Sequence, residues 1–365
     1  MAKGLESMII GVDENFPLDD LQSVARMLED ANILLPGYIP PDCGIYEPAT
    51  YFYEQALGYE FVILPDRNVA SRIAQLAQRR VALGDGQLTT TAALLAFAQC
   101  LNIQFEPGAA FHELAHLQGN QIAREELSWF RSADVAIPQD ILNVALGRSS
   151  RVARTYQPTP EESLDLAKPI KRWNRNYILA LKILELEGES GSAVDKMLRL
   201  LDWMATGFIF GGPASLLAAL FLATHSAPKK KVFKSRNSIN RASALAGVRN
   251  AAWDVTHLSL FVERMNQCAD GQNKRYIFAS FDTHLRMTTE LMLAVTTAHT
   301  EVSALATNLS NWWGDRDALR IAESLIAHLT RINREGFEPK VPSDRGNDIL
   351  RELITDGERK VLAQF

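Results

Sequence analysis

The fold of this chain is decided by an apolar segment that ends in a carboxylate, Tyr59-Glu60-Phe61-Val62-Ile63-Leu64-Pro65-Asp66. After Asn68, a helix is predicted from Ala70 to Arg79. A buried strand flanked by helices is typical of a parallel sheet, in which functional sites form at the carboxyl ends of strands. Asp66 is therefore placed either as a site residue or as a helix cap, a position that Asp also favours.

The same arrangement recurs near the other end of the chain, in Tyr276-Ile277-Phe278-Ala279-Ser280-Phe281-Asp282. A helix is again predicted directly after the aspartate. Between the two segments, residues 88–101 are predicted to form a helix and residues 102–105 a short strand. A turn then leads into a helix that runs from Ala109 toward Phe130 and carries Glu113. This alternation of helix and strand predicts an α/β core with a parallel sheet.

The first 58 residues form an N-terminal segment without a catalytic signature. A short strand is predicted from Met8 to Val12, and a helix from Leu18 to Asn32. The stretch from Leu35 to Pro41 is rich in proline and is predicted to be a loop.

Two further parts of the chain are predicted to be mostly helical, residues 142–224 and 291–365. Within the first, the stretch from Trp203 to Thr224 carries no charge and is long enough to span a bilayer. Gly211-Gly212-Pro213 interrupts it, because glycine commonly ends a helix and proline commonly starts the next. We therefore expect two short buried helices rather than a membrane span.

Length, charge and cysteine content limit the classes of protein to which this chain can belong. A chain of 365 residues with 47% hydrophobic residues can bury a large core. Its formal net charge of −5 argues against a uniformly cationic nucleic-acid binder but not against a local basic patch. The three cysteines are far apart, so neither a disulfide framework nor a cysteine-based zinc site is expected. With no apolar leader at the N-terminus, a reducing cytoplasm is the expected location.

One segment, His112-Glu113-Leu114-Ala115-His116, permits a zinc site. Two histidines four residues apart face the same side of a helix and can share a metal ion, and Glu113 would act as general base on zinc-bound water. The position of the third histidine in the related metzincin pattern is occupied by Ile122, which cannot bind a metal. A zinc-dependent metallopeptidase would therefore need another third ligand, Glu126 or Asp134.

The same glutamate also fits a second chemistry, which uses more of the chain. Two-metal cleavage of a phosphodiester bond needs several carboxylates that converge from separate elements onto hard cations. Carboxylates at strand ends and on helices suit that task, and the chain offers four of them, Asp66, Glu113, Asp254 and Asp282.

These four carboxylates lie in motifs that resemble those of the PIN-like ribonucleases, and they follow that family's order. An apolar strand ending in Asp-x-Asn and a helix bearing Glu-Leu come first. An Asp among small residues near a helix start follows, and a strand ending in Ser-x-Asp is last. The matching segments are Phe61 to Val69, Phe111 to Leu114, Ala251 to Asp254, and Ala279 to Asp282.

The resemblance implies an endoribonuclease that depends on Mg²⁺ or Mn²⁺, with the four carboxylates as ligands and with Asn68 and Ser280 supporting them. It also implies a parallel sheet with helices on both faces. The α/β core would comprise residues 59–130 and 250–290. Residues 131–249 would then be a helical insertion, and residues 291–365 a helical extension.

A basic run from Lys229 to Arg249 contains no acidic residue. In a chain that is acidic overall, this asymmetry indicates either a site for the nucleic-acid backbone, most simply RNA, or a solvated loop. The predicted contacts are Lys229, Lys230, Lys231, Lys234 and Arg236. A non-catalytic helical scaffold is the third interpretation beside the nuclease and the peptidase, and the sequence leaves open a homo-oligomer or an inhibitory protein partner.

Overall fold

The computed structural model describes residues 11, 13–159, 164–225, 232–269, 271–297, 301–332 and 346–363. They belong to two compact units. Unit 1 comprises Met1–Lys168 and Phe261–Phe281, and unit 2 comprises Pro169–Leu260 and Asp282–Phe365. The predicted mixed α/β class is confirmed, since helices surround a small sheet in unit 1. The predicted division into a core, an insertion and an extension stays a prediction.

The sheet of unit 1 has four strands in the order β1-β4-β2-β3. Both β3 and β4 pair in parallel with β2, as the sequence predicts, whereas β1 pairs antiparallel with β4. Pro65 at the end of β2 is in register with Ala279 at the end of β4. The residues that follow these two strands therefore start side by side at the carboxyl ends of β2 and β4. The strand bounds are β1 Leu34–Pro36, β2 Glu60–Pro65, β3 Gln104–Phe105 and β4 Lys274–Ala279.

The prediction of a loop from Leu35 was wrong at its first residues, because these belong to β1. Pro36 has no backbone N–H, and in an inner strand its absence would remove a hydrogen bond to a neighbouring strand. At the edge of the sheet the missing donor is tolerated, and Leu34 and Leu35 are buried there. The predicted strand from Met8 to Val12 lies outside the described residues except for Gly11.

The helices of unit 1 pack around the sheet and carry most of its core. The helix α4 is buried along most of its length, which explains why its sequence is apolar all round. One aromatic cluster joins helix and sheet, since Tyr51 lies 4.6 Å from Phe61 and 5.3 Å from Phe97 between ring centroids. The helix bounds are α1 Leu18–Ala31, α2 Pro48–Ala56, α3 Arg67–Ala77, α4 Gly86–Cys100, α5 Gly108–Gln118, α6 Asn120–Asp134 and α7 Pro138–Ala145.

The prediction of one helix from Ala109 toward Phe130 was wrong, because the chain forms two helices separated at Gly119. Gly119 has φ 92° and ψ 161°, a conformation that residues with a Cβ rarely adopt. Helix α5 therefore ends two residues after His116, and α6 begins in a new direction. The His-Glu-x-x-His segment and its proposed third ligands consequently lie on different helices.

The regular elements described in unit 2 are all helices. The uncharged stretch after Trp203 ends α9 and forms α10, as two separate helices, which is what Gly211-Gly212-Pro213 predicts. No helix among the described residues has both the length and the apolar character needed to cross a membrane. The helix bounds are α8 Lys171–Gly188, α9 Ala193–Gly207, α10 Gly212–Leu222, α11 Arg241–Ala269, α12 Thr283–Thr297, α13 Val302–Leu309, α14 Asp315–Ile332 and α15 Gly346–Ala363, where α11 belongs to unit 2 through Leu260.

Candidate functional site

Asp66 and Ser280 form a buried polar pair directly after the carboxyl ends of the inner strands β2 and β4. The hydroxyl of Ser280 donates to Oδ2 of Asp66 at 2.5 Å, and the backbone N–H of Val69 donates to Oδ1 at 2.8 Å. Asp66 is 3% exposed and Ser280 is fully buried. The parallel register of the two strands brings these residues together across 214 positions of sequence. Two of the residues predicted to act together are therefore in contact.

Asp66 serves as the N-cap of α3, so one of the two roles predicted for it is observed directly. The cap does not exclude the other role. A carboxylate that accepts hydrogen bonds can also coordinate a cation, because each of its oxygens has more than one lone pair. The Ser280 hydrogen bond also fixes the orientation of the carboxylate, which is how supporting residues commonly act around a metal ligand.

Glu113, the second predicted carboxylate of unit 1, lies in the middle of α5 and is 8% exposed. Helix α5 packs against α3, the helix that Asp66 caps. Asn68 is exposed in the first turn of α3. Its neighbour Arg67 donates two hydrogen bonds to Glu126 on α6, at 2.7 and 3.0 Å. This two-point salt bridge ties α3 to α6.

Asp254 and Asp282 belong to unit 2. Asp282 caps α12, since its Oδ1 accepts the backbone N–H groups of His284 at 2.8 Å and Leu285 at 3.1 Å. The pattern of a strand followed by a capping aspartate therefore occurs twice, as the sequence predicts. Asp254 is half-buried on α11, beside the buried Trp253. Their role as metal ligands beside Asp66 stays a prediction.

Within either unit, the described residues include no group of three or more His, Cys, Asp or Glu side chains placed to hold a metal ion. His112 and His116 both use Nδ1 for the backbone: His112 contacts the carbonyl oxygen of Leu166 at 2.7 Å, and His116 contacts that of His112 at 2.9 Å. Glu126, one proposed third zinc ligand, is held by Arg67. The zinc alternative therefore gains no third ligand from this part of the chain, and it stays a prediction.

Two arginines in the described part of the basic run form salt bridges within unit 2. Arg236 forms a salt bridge with Glu187 at 2.5 Å and lies over the ring of Phe221, while Arg249 pairs with Glu358 at 2.9 Å. Lys234 is exposed. The lysines at 229–231 lie outside the described residues. The predicted nucleic-acid contacts remain predictions, and of the described members Lys234 has the surface exposure that such a contact needs.

Sequence reasoning missed a cavity of about 530 Å³ in unit 1, between the end of β3, α5, α6 and the segment around Leu164 and Leu166. Its lining is mainly apolar, and its polar residues are Arg131, Asp134 and Thr159. Burial raises the pKa of Asp134 to about 6, and the charge of Arg131 opposes that rise. Only the tertiary arrangement of α5 and α6 creates the cavity, so periodicity along the sequence could not reveal it.

The geometry thus defines a mixed α/β protein with a buried Asp–Ser pair at the carboxyl ends of two parallel strands. No family model matches the chain, and neither a curated protein nor a solved structure matches it significantly.

Proposed function

We propose that the protein is a divalent-metal-dependent nuclease, an endoribonuclease with a PIN-like core in unit 1, in which Asp66 holds the metal ion. The observation that carries the proposal is the Asp66–Ser280 pair at the carboxyl edge of parallel strands, which is where α/β proteins place their sites. The buried Glu113 on the neighbouring α5 supports it.

The proposed ion is Mg²⁺ or Mn²⁺, because these hard cations prefer carboxylate oxygens such as those of Asp66 and Glu113. Asp66 would hold the ion and Ser280 would keep the Asp66 carboxylate in one orientation. Glu113 would supply a second carboxylate. When bound, such an ion polarises the phosphate and lowers the pKa of water that attacks it. Asn68, Asp254 and Asp282 keep the supporting and ligand roles that the resemblance implies.

The proposed substrate is RNA, which the lysines of the basic run would guide. Phosphate contacts release counterions, so binding should weaken steeply as salt is added. The proposal places the protein in a reducing cytoplasm, a compartment that suits its unpaired Cys43, Cys100 and Cys268.

The first test is metal-dependent cleavage of end-labelled RNA and DNA strands by the full chain and by Asp66→Asn. Asn caps a helix about as well as Asp, so this variant should keep its fold while losing a charged ligand. We expect cleavage only with Mg²⁺ or Mn²⁺, and a loss of about 100-fold or more in Asp66→Asn, since a removed electrostatic contact to the transition state has about that effect.

Two further variants separate the nuclease from the peptidase. His116→Ala should leave nuclease activity intact, whereas Asp282→Asn should abolish it. The proposal is wrong if Asp66→Asn cleaves RNA as fast as the natural chain. It is also wrong if zinc co-purifies and His116→Ala alone removes a peptidase activity. A non-catalytic scaffold would show no metal-dependent activity in either assay.

A further inference from the structure

The cavity beside α5 has the size and lining of a small-molecule site. Its volume of about 530 Å³ lies within the range of about 300–1,000 Å³ that such sites occupy. Three aromatic rings contribute to its wall, those of Phe105, Phe111 and Phe130. Phe130 meets Phe105 edge-on at 5.9 Å and meets Phe111 edge-on at 5.6 Å between centroids. The mutual packing fixes these rings, so the wall is formed before any ligand arrives.

The polar residues that line this cavity are Arg131, Asp134 and Thr159, and Asp134 is the last residue of α6. Among the described residues this side chain has no hydrogen-bond or salt-bridge partner, although its backbone carbonyl accepts from Gln99. A half-buried carboxylate without a partner is costly, and a ligand that brings N–H donors would remove that cost. Since an ionised carboxylate only accepts hydrogen bonds, the preferred ligand must donate.

We infer that this cavity binds an unstacked nucleobase of a single-stranded substrate, with guanine preferred. Proteins read splayed-out RNA bases by stacking them on aromatic side chains and by hydrogen bonding to their edges. Guanine presents two adjacent N–H donors on one edge, which a carboxylate can accept together. Uracil presents a single N–H donor there, so it would leave one carboxylate oxygen without a partner.

The position of the cavity supports a base rather than an unrelated aromatic ligand. Phe111 lines the cavity and lies two residues before Glu113 on α5, and Phe105 ends the strand that runs parallel to β2. The cavity therefore adjoins the elements that carry the proposed nuclease residues of unit 1. In this respect the inference rests on the proposed function, because it makes the cavity a specificity site for the same substrate.

Binding can be measured without cleavage, by calorimetric titration of the full chain in the presence of EDTA. The probes are guanosine monophosphate, uridine monophosphate, a short RNA with one guanine among uridines, and the matching all-uridine RNA. We expect the guanine probes to bind about tenfold or more tightly than their uridine counterparts. That figure is the discrimination expected for a two-point contact to one base.

The decisive variant is Asp134→Asn, which replaces one of the two acceptors with a donor. It should reduce the guanine preference about tenfold without disturbing the fold. Glu125→Gln removes an exposed carboxylate from the same helix, away from the cavity, and should bind as the natural chain does.

Each outcome of these titrations decides whether the cavity binds guanine, and it can be interpreted separately from the nuclease test. Equal binding of guanine and uridine probes, or a guanine preference that survives Asp134→Asn, would overturn the assignment. Binding of the free nucleotide but not of the guanine-containing RNA would overturn the role in substrate recognition. Because these titrations need no metal ion and no cleavage, failure of the Asp66→Asn test would leave their result readable.

Discussion

Asp134 is the residue whose environment most directly predicts a dependence of stability on pH. Burial raises the pKa of its carboxyl group to about 6 from the ordinary 3.8, and its place at the end of α6 adds an unfavourable interaction with the helix dipole. The folded state therefore binds the proton more tightly than the unfolded state. The stabilising contribution is complete below about pH 4 and is lost as the pH rises through about 6.

We predict that Asp134→Asn becomes more stable than the natural chain as the pH rises from about 4 to about 8. The gain should reach about 1–2 kcal/mol, less than the about 3 kcal/mol that the full shift represents, because the side chain is partly solvated. Urea unfolding at several pH values measures it. Glu125→Gln controls for the loss of one charge from α6. A pH-independent difference between Asp134→Asn and the natural chain would contradict this account.

Individual residues also differ in how much of their surroundings the sequence predicts. The segment before Asp66 is apolar and ends in a carboxylate, so both its strand and the placement of Asp66 at the carboxyl end follow from local chemistry. The local sequence does not identify Ser280 as its partner, because that contact depends on which strand pairs with β2. Arg236 illustrates the same limit: the basic run predicts a contact with nucleic acid, yet Arg236 forms a salt bridge with Glu187 on α8.

At the scale of elements, the long helix α11 depends on a glycine for its packing. A Cβ built at Gly247 would lie 1.9 Å from the carbonyl oxygen and 2.9 Å from the carbonyl carbon of Lys234. These are backbone atoms, so no rotamer change can relieve the contact. The segment around Lys234 can approach α11 closely because residue 247 has no side chain.

We predict that Gly247→Ala lowers the free energy of unfolding by about 1–3 kcal/mol, the usual range for overpacking a filled site. Helix propensity alone gives the opposite sign, since Ala exceeds Gly by about 1 kcal/mol within a helix. Gly86→Ala is the control, because Gly86 begins α4 with nothing within 4 Å of a built Cβ. Thermal unfolding of both variants decides. If Gly247→Ala proves as stable as Gly86→Ala, the close approach to Lys234 does not exist in solution.

Elements also differ in how well the sequence predicts them. The strands β2 and β4 are continuous apolar runs between turn signals, and both were predicted nearly at their observed bounds. The edge strand β1 contains a proline, for which the sequence predicts a loop, and only the pairing of β1 with β4 makes this segment a strand. The split between α5 and α6 depends on the positive φ of Gly119, whereas glycine inside a helical pattern is often tolerated.

At the scale of the whole molecule, unit 1 is discontinuous in sequence. Its second segment, Phe261–Phe281, supplies β4, which lies between β1 and β2 in the sheet. Among the described strands β1 pairs with β4 alone, and the backbone N–H of Asp66 donates to the carbonyl oxygen of Ala279. The first 168 residues therefore include β1, β2 and β3 but not β4, the strand that joins β1 to β2.

We predict that a chain ending at Lys168 fails to fold cooperatively, whereas a chain ending at Phe281 retains the folded sheet of unit 1. Without β4, the apolar residues of β2 and β1 lose their partners and the backbone groups along one side of β2 lose their hydrogen bonds. Amide hydrogen exchange of residues 60–64 and 66 measures the difference, with the full chain as reference. Strong protection of these amides in the chain ending at Lys168 would show that β4 is dispensable. Because Ser280 directly follows β4, the same deletion removes the hydroxyl that orients Asp66, so the fold of unit 1 and the Asp66–Ser280 pair should appear together as the chain reaches Phe281.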